Sequence, residues 1–234
     1  MKINNCTRLI ILVVMLVCGF TNGKAMDITA PNPDDTPDRR TFGLVGNVKE
    51  VHRSVSDLSE ENKGAPIIKD HMMTFDEQGR VTLDFYENAY VYDTKGNFIK
   101  GDKEYTKMER DENGRIKYYE TRLDDEDPDC YRYTYKYDAK GRPTMINLQL
   151  WEGEYTDKLS YTDDNIYPDK IVTEGGEQGE DYTIVTTYEY KAFDKYGNWT
   201  ERECLTESRI ISEGDDSITQ ESTYTLEKRV IMYY

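Results

Sequence analysis

The chain has only two histidines and two tryptophans among its 234 residues. It shows no sustained helical period beyond its first 25 residues. The histidines, His52 and His71, are not at ligand spacing to any cysteine, which excludes a His/Cys metal centre. No G-x-S-x-G, H-E-x-x-H or phosphate-cradling glycine loop is present. Catalysis therefore lacks its usual carriers, and the reading expects no enzyme activity, no cofactor and no metal site. Paired carboxylates for glycoside hydrolysis remain the least supported alternative, because 46 acids supply such pairs by chance. Basic charge is short as well: 30 Lys and Arg leave a net charge of −16. A chain so acidic is a poor partner for nucleic acid or an anionic membrane, both of which need a basic face. Long apolar runs are missing too. The one candidate, residues 9–18, is too short to span a bilayer comfortably.

That run has another use. Lys2 and Arg8 precede it, and Gly23-Lys24-Ala25 follows with small residues where a signal peptidase reads. Residues 1–25 are thus read as a secretory signal. Cys18 offers a rival reading as a lipid-bearing residue, but bulky Val17 fits poorly before such a cysteine. Either way the domain is expected outside the cytoplasm, in the periplasm or at the cell surface. Residues 26–41 are rich in Pro and Asp and read as a flexible leader. One domain is then expected over 42–234. Of four cysteines, Cys6 and Cys18 fall in the signal; Cys130 and Cys204 remain, and an oxidising compartment permits their pairing as readily as two free thiols.

What the sequence does have is a repeated phrase: an aromatic residue, Asp-x-x-Gly, then Arg or Asn. It reads FDEQGR at 75–80, YDTKGN at 92–97, YDAKGR at 137–142 and FDKYGN at 193–198, with an aromatic-less copy, RDENGR, at 110–115. The aspartates Asp76, Asp93, Asp111, Asp138 and Asp194 can accept backbone N–H bonds and close a turn. The glycines Gly79, Gly96, Gly114, Gly141 and Gly197 can take the left-handed conformation. A type I turn followed by a left-handed glycine joins antiparallel strands. The flanks agree: Tyr131, Tyr133, Tyr135 and Tyr137 alternate with Arg132, Thr134 and Lys136, the strand period of two. Similar runs lie at 81–86, 90–92, 116–119, 143–151, 182–190 and 199–205. The expected fold is an all-β antiparallel meander of about a dozen strands, curled into a single sheet or open barrel.

YDAKGR and FDKYGNWTER resemble the YD repeats of the RHS-repeat family of bacterial secreted and surface proteins. The likeness covers about residues 75–202. In that family successive hairpins build a long curling sheet, and the long members wrap it into a shell around a toxin. The resemblance implies the hairpin architecture here. The spacing between the aspartates is irregular, at 17, 18, 27 and 56 residues, and the chain is too short to enclose a cargo. The last gap has room for a degenerate unit near Tyr161-Thr-Asp163.

Twenty tyrosines supply the candidate binding residues. Tyr131, Tyr133 and Tyr135, with Trp151 and Trp199, could form an aromatic platform for sugar rings, or the tyrosines could be core packing. The acidic run at 124–129 has carboxylates enough for calcium but matches no defined loop, so a solvated hairpin tip is the plainer reading. Residues 218–234 contain no Gly or Pro and read as a long final strand. At a sheet edge it would pair with another chain, so a homodimer through this strand is expected. The function these readings favour is a secreted, non-catalytic binding or structural module whose partner is a glycan. The alternative is a protein-interaction module using an edge strand.

Overall fold

The computed structural model describes residues 36–85, 87–101, 105–122, 130–162, 165–212 and 217–234. Residues 1–25, read above as a signal, the part of the expected leader up to 35, the acidic run at 124–129 and Asp163 lie outside the described residues. Among the described residues one short helix, α1 (Pro37–Thr41), precedes fourteen strands. They are β1 (Val48–Asp57), β2 (Pro66–Phe75), β3 (Val81–Leu83), β4 (Tyr90–Tyr92), β5 (Phe98–Gly101), β6 (Tyr105–Arg110), β7 (Ile116–Arg122), β8 (Tyr131–Tyr137), β9 (Pro143–Gln149), β10 (Gly153–Ser160), β11 (Lys170–Glu177), β12 (Glu180–Phe193), β13 (Trp199–Ser212) and β14 (Ile218–Tyr233). Twelve strands make one antiparallel sheet in the order β3-β2-β1-β14-β13-β12-β11-β10-β9-β8-β7-β6; β4 and β5 form a separate hairpin. The expected all-β meander is therefore observed, and the sheet is not closed into a barrel.

The sheet curls. Val51 of β1, Met73 of β2 and Val81 of β3 share one hydrophobic cluster with Ile116 and Tyr119 of β7. These strands lie toward opposite edges of the sheet, so their inner faces meet only if it bends round. The β4–β5 hairpin contributes Tyr90, Tyr92 and Phe98 to the same cluster. A second cluster, with Ile146, Leu159, Tyr167, Ile171, Tyr190 and Trp199, fills the middle of the sheet. The period of two holds along β12, where Tyr182, Ile184, Thr186 and Tyr190 are buried and Asp181, Thr183, Thr187 and Glu189 are exposed.

The five turn phrases behave as their chemistry predicts. In each, the Asp N–H donates to the carbonyl four residues on and the Gly N–H donates to the Asp carbonyl, at 2.8–3.1 Å. Asp Oδ1 accepts the N–H of the Arg or Asn at 2.8–3.0 Å. All five glycines have φ between 74° and 87°, where a side chain is strained. The arginines add a link between units. Arg80, Arg115 and Arg142 each pair with their own aspartate. Each also lies over the aromatic that opens the next unit: Tyr92 at 4.7 Å, Tyr137 at 4.5 Å and, for the degenerate unit, Tyr161 at 4.4 Å. The copy that lacks an aromatic has Arg110 there, and Arg110 grips Asp38 of α1 through both guanidinium nitrogens. A sixth turn escaped the sequence reading. Asp84 N–H donates to Asn88 and Glu87 N–H to Asp84, with Glu87 at φ 66° in the glycine position.

Successive connections in a meander alternate between the two ends of its strands. All five phrases therefore fall at one end, which we call the repeat end. The segment from Thr36 to Asn47 straps across it, and this corrects the reading of 26–41 as leader throughout. Asp38 and Arg39 are almost fully buried. Asp38 accepts Val81 N–H at 3.0 Å, Arg39 Nε donates to the Val48 carbonyl at 3.0 Å, and Thr36 Oγ1 donates to the Gly79 carbonyl at 2.7 Å. Asn198 closes the far side by exchanging two bonds with the Val45 backbone, at 2.7 and 2.8 Å. Composition suggested disorder; specific polar partners in the turns order the segment instead.

The C-terminal strand also differs from expectation. β14 lies inside the sheet, paired with β1 along one side from Thr225 to Tyr233 and with β13 along the other. That part offers no edge to a second chain, because β1 returns to occupy it. Three inward positions of β14, Thr225, Glu227 and Arg229, are polar, while Ile231 and Tyr233 pack on the first cluster. Glu227 takes Arg53 Nη2 at 2.6 Å and Arg202 Nε at 2.5 Å, with all three side chains buried. Arg229 lies 3.8 Å from the Trp199 ring centre. Charges buried this way persist only when paired, and removing one partner of such a set costs roughly 3–5 kcal/mol.

Candidate functional site

The end opposite the repeats carries the candidate site. There β9 turns into β10 through Leu150, Trp151 and Glu152, and Leu150 N–H bonds the Gly153 carbonyl at 2.8 Å. Beside it β11 turns into β12 through Gln178 and Gly179, at φ 50° and 82°, the left-handed pair of a tight hairpin turn. Gly153 faces Glu177 across the ladder. A side chain at Gly153 would meet the Glu177 Cβ at 2.5 Å, so this glycine makes the close approach of the two tips practicable.

Between the tips lies a cleft of about 200 Å³ lined by Cys130, Tyr131, Leu150, Trp151, Glu152, Glu177 and Gln178. Trp151 is 69 % exposed. Glu177 is only 8 % exposed, and no hydrogen bond or ion pair holds its carboxylate among the described residues. Burial, with Glu180 nearby, pushes its pKa up. Glu152 is engaged at the rim by Gln178 Nε2. Next to the cleft, the Cys130 thiol donates to Glu120 at 3.4 Å. Burial opposes charge on Glu120, but bonds from Tyr118 and Cys130 and the nearby Arg132 and Arg122 outweigh it and hold its pKa down.

The aromatic platform expected from the sequence is thereby divided. Tyr131 and Trp151 come together in the cleft. Tyr133 and Tyr135 point into the core, where they pack against the clusters of both halves of the sheet. Burial raises the pKa of both hydroxyls. Trp199 is fully buried between the guanidinium groups of Arg202 and Arg229, 4.3 and 3.8 Å from its ring centre. These three residues are therefore corrected from candidate binding residues to packing. Their strand phase decides it: they occupy inward positions of a curled sheet, whereas Trp151 sits on a turn.

Cys130 and Cys204 are both buried and free. His52 lies between Asp70 at 3.0 Å and Glu50 at 2.5 Å; these two bonds raise its pKa, Asp70 contributing most. Among the described residues no cluster of His, Cys, Asp and Glu has metal-binding geometry. No helix there is long and apolar enough to cross a membrane. Sequence reasoning missed Glu177, since one acid among 46 carries no signal until its partners are known. The Glu-Gln-Gly-Glu turn was the available clue to where it lies.

No protein-family model matches this chain, and no curated protein matches it.

Proposed function

We propose that this chain is an exported, non-catalytic binding module built from YD-type hairpin repeats, which holds a glycan in the cleft at Trp151. One observation carries the reading: an indole 69 % exposed shares a cleft with Tyr131, Glu152, Glu177 and Gln178. An exposed aromatic face beside fixed polar groups is the arrangement that stacks a sugar ring and bonds its hydroxyls. A glycan array probed with residues 26–234 tests it. Binding that Trp151→Ala removes and Trp199→Phe leaves intact is the expected result. An array without a hit, on protein that melts cooperatively, overturns the reading.

A protein partner is the second reading, and the strand ends favour it. β1 pairs with β14 only from Thr225 onward, so residues 218–223 meet β13 alone among the described strands. Ile218 there is 55 % exposed. A backbone edge of this kind accepts a further strand. Light scattering that finds a dimer, reduced to monomer by Thr219→Pro, would favour this reading over the first.

A further inference from the structure

The lining of the cleft has an uneven chemistry. Among the described residues it contains two carboxylates, Glu152 and Glu177, two aromatic rings, Tyr131 and Trp151, and no Lys, Arg or His. The two acids differ. Glu152 is exposed and already accepts a bond from Gln178. Glu177 is more than nine-tenths buried, and among the described residues nothing pairs with its carboxylate. A buried carboxylate without a partner is costly, and such groups are normally paired with a cation or several donors. Two other buried acids keep that rule: Glu227 has two arginines, and Asp38 has Arg110 and a backbone N–H. Glu177 faces the cleft instead.

We propose that the cleft binds an amino sugar through its free ammonium group, with Glu177 as the counter-ion and the Trp151 face stacking on the ring. This rests on the glycan reading above and names the sugar chemistry. A neutral sugar can stack on Trp151 but leaves the Glu177 charge uncompensated. An N-acetylated sugar offers one N–H where an ammonium offers three charged donors. The ammonium gains twice, from a charge-assisted bond to the carboxylate and from the negative face of the indole, which attracts cations within about 6 Å of its centre. A cleft of about 200 Å³ is below the range of about 300–1,000 Å³ usual for drug-sized ligands, which suits a single sugar ring. The acidic surface, at net −16, draws cationic oligosaccharides toward it.

The test is calorimetric titration of residues 26–234 with a glucosamine tetramer, its fully N-acetylated counterpart and a lysine tetrapeptide. The expected result is that the glucosamine oligomer binds at least about tenfold tighter than either of the others. Glu177→Gln should erase its advantage over the acetylated form, while melting as the parent does or higher. Trp151→Ala should weaken both sugars. Equal affinity for the two sugars, or a preference that survives Glu177→Gln, overturns the ammonium inference and leaves glycan binding standing. Tighter binding of the lysine peptide than of either sugar overturns the sugar assignment but keeps the cation. Failure of all three ligands overturns this inference and the glycan reading together.

Discussion

At the repeat end, the turns at Asp76, Asp93, Asp111, Asp138 and Asp194 share one hydrogen-bond pattern, and their polar side chains are consumed by it. Arginines stack forward onto the next unit, and Thr36 to Asn47 lies across the turns and uses several of the backbone groups left over. At the other end, the connections at 58–65, 150–152 and 178–179 share no phrase. There an indole stands in solvent, and a buried carboxylate finds no partner among the described residues. The same strands feed both ends. The contrast teaches that a repeated motif marks the place where polar groups satisfy one another. The place where a ligand would be recognised lies in the connections the motif leaves out.

Substitutions can break this contrast. The largest effect is expected from Asp38→Ala, which leaves Arg110 and Val81 N–H without their buried acceptor. It should cost roughly 3–5 kcal/mol in denaturant unfolding. Ligand affinity at the cleft, measured well below the midpoint, should not change. Asp157 is next. It is 2 % exposed, and burial, partly offset by a 2.5 Å bond from Thr173 Oγ1, pushes its pKa up to about 7. In the unfolded chain it ionises near a pKa of about 3.9. The stability linked to its folded-state proton is therefore complete below about pH 4 and lost as pH rises to about 7. Asp157→Asn should stabilise by roughly 2–4 kcal/mol at pH 8 and change little at pH 4, read from urea midpoints at both pH values.

Glu87→Gly tests the repeat pattern in the opposite sense. It restores the glycine of the sixth turn at φ 66° and should add about 0.5–1 kcal/mol, a small rise in melting temperature. Trp151→Ala should have the smallest effect on folding, within about 0.5 kcal/mol, because the side chain is exposed. It should still remove the acrylamide-accessible part of the tryptophan fluorescence, leaving only the shielded emission of Trp199. If Trp151→Ala destabilised as Asp38→Ala does, the two ends would not differ in kind.

Much of the fold was legible because its determinants are local. Asp-x-x-Gly sets its turn within five residues, and alternation along Tyr131–Tyr137 sets a strand without reference to anything distant. What was illegible depends on distant partners. Nothing near residue 230 says that β1 will pair with it, so β14 read as an edge. Nothing within the Pro- and Asp-rich segment at 36–41 reveals that Arg110 and Gly79 await it. Glu87 hid a turn because the expected glycine was absent. The site was half legible: Trp151 and Tyr131 were named by residue type, while Tyr133, Tyr135 and Trp199 were named with them because period two does not say which face is covered. Glu177 emerged only when its neighbours failed to supply a partner.

The pairing of β1 with β14 has a consequence for the order of events in folding. Strands β6 to β13 each hydrogen-bond to a sequence neighbour and can zip up over short loops. The first strands have no such liberty on one side: the Val48-to-Tyr233 pairing closes a loop of nearly the whole domain, with the entropy cost and slow rate of high contact order. The segment made first is thus among the last to dock. Until residues 218–233 exist, α1 and β1 to β3 lack a complete sheet to join. A stopped-flow experiment should resolve a fast phase from the middle strands and a slower one from the two termini meeting, and limited proteolysis during refolding should cut first at 36–83.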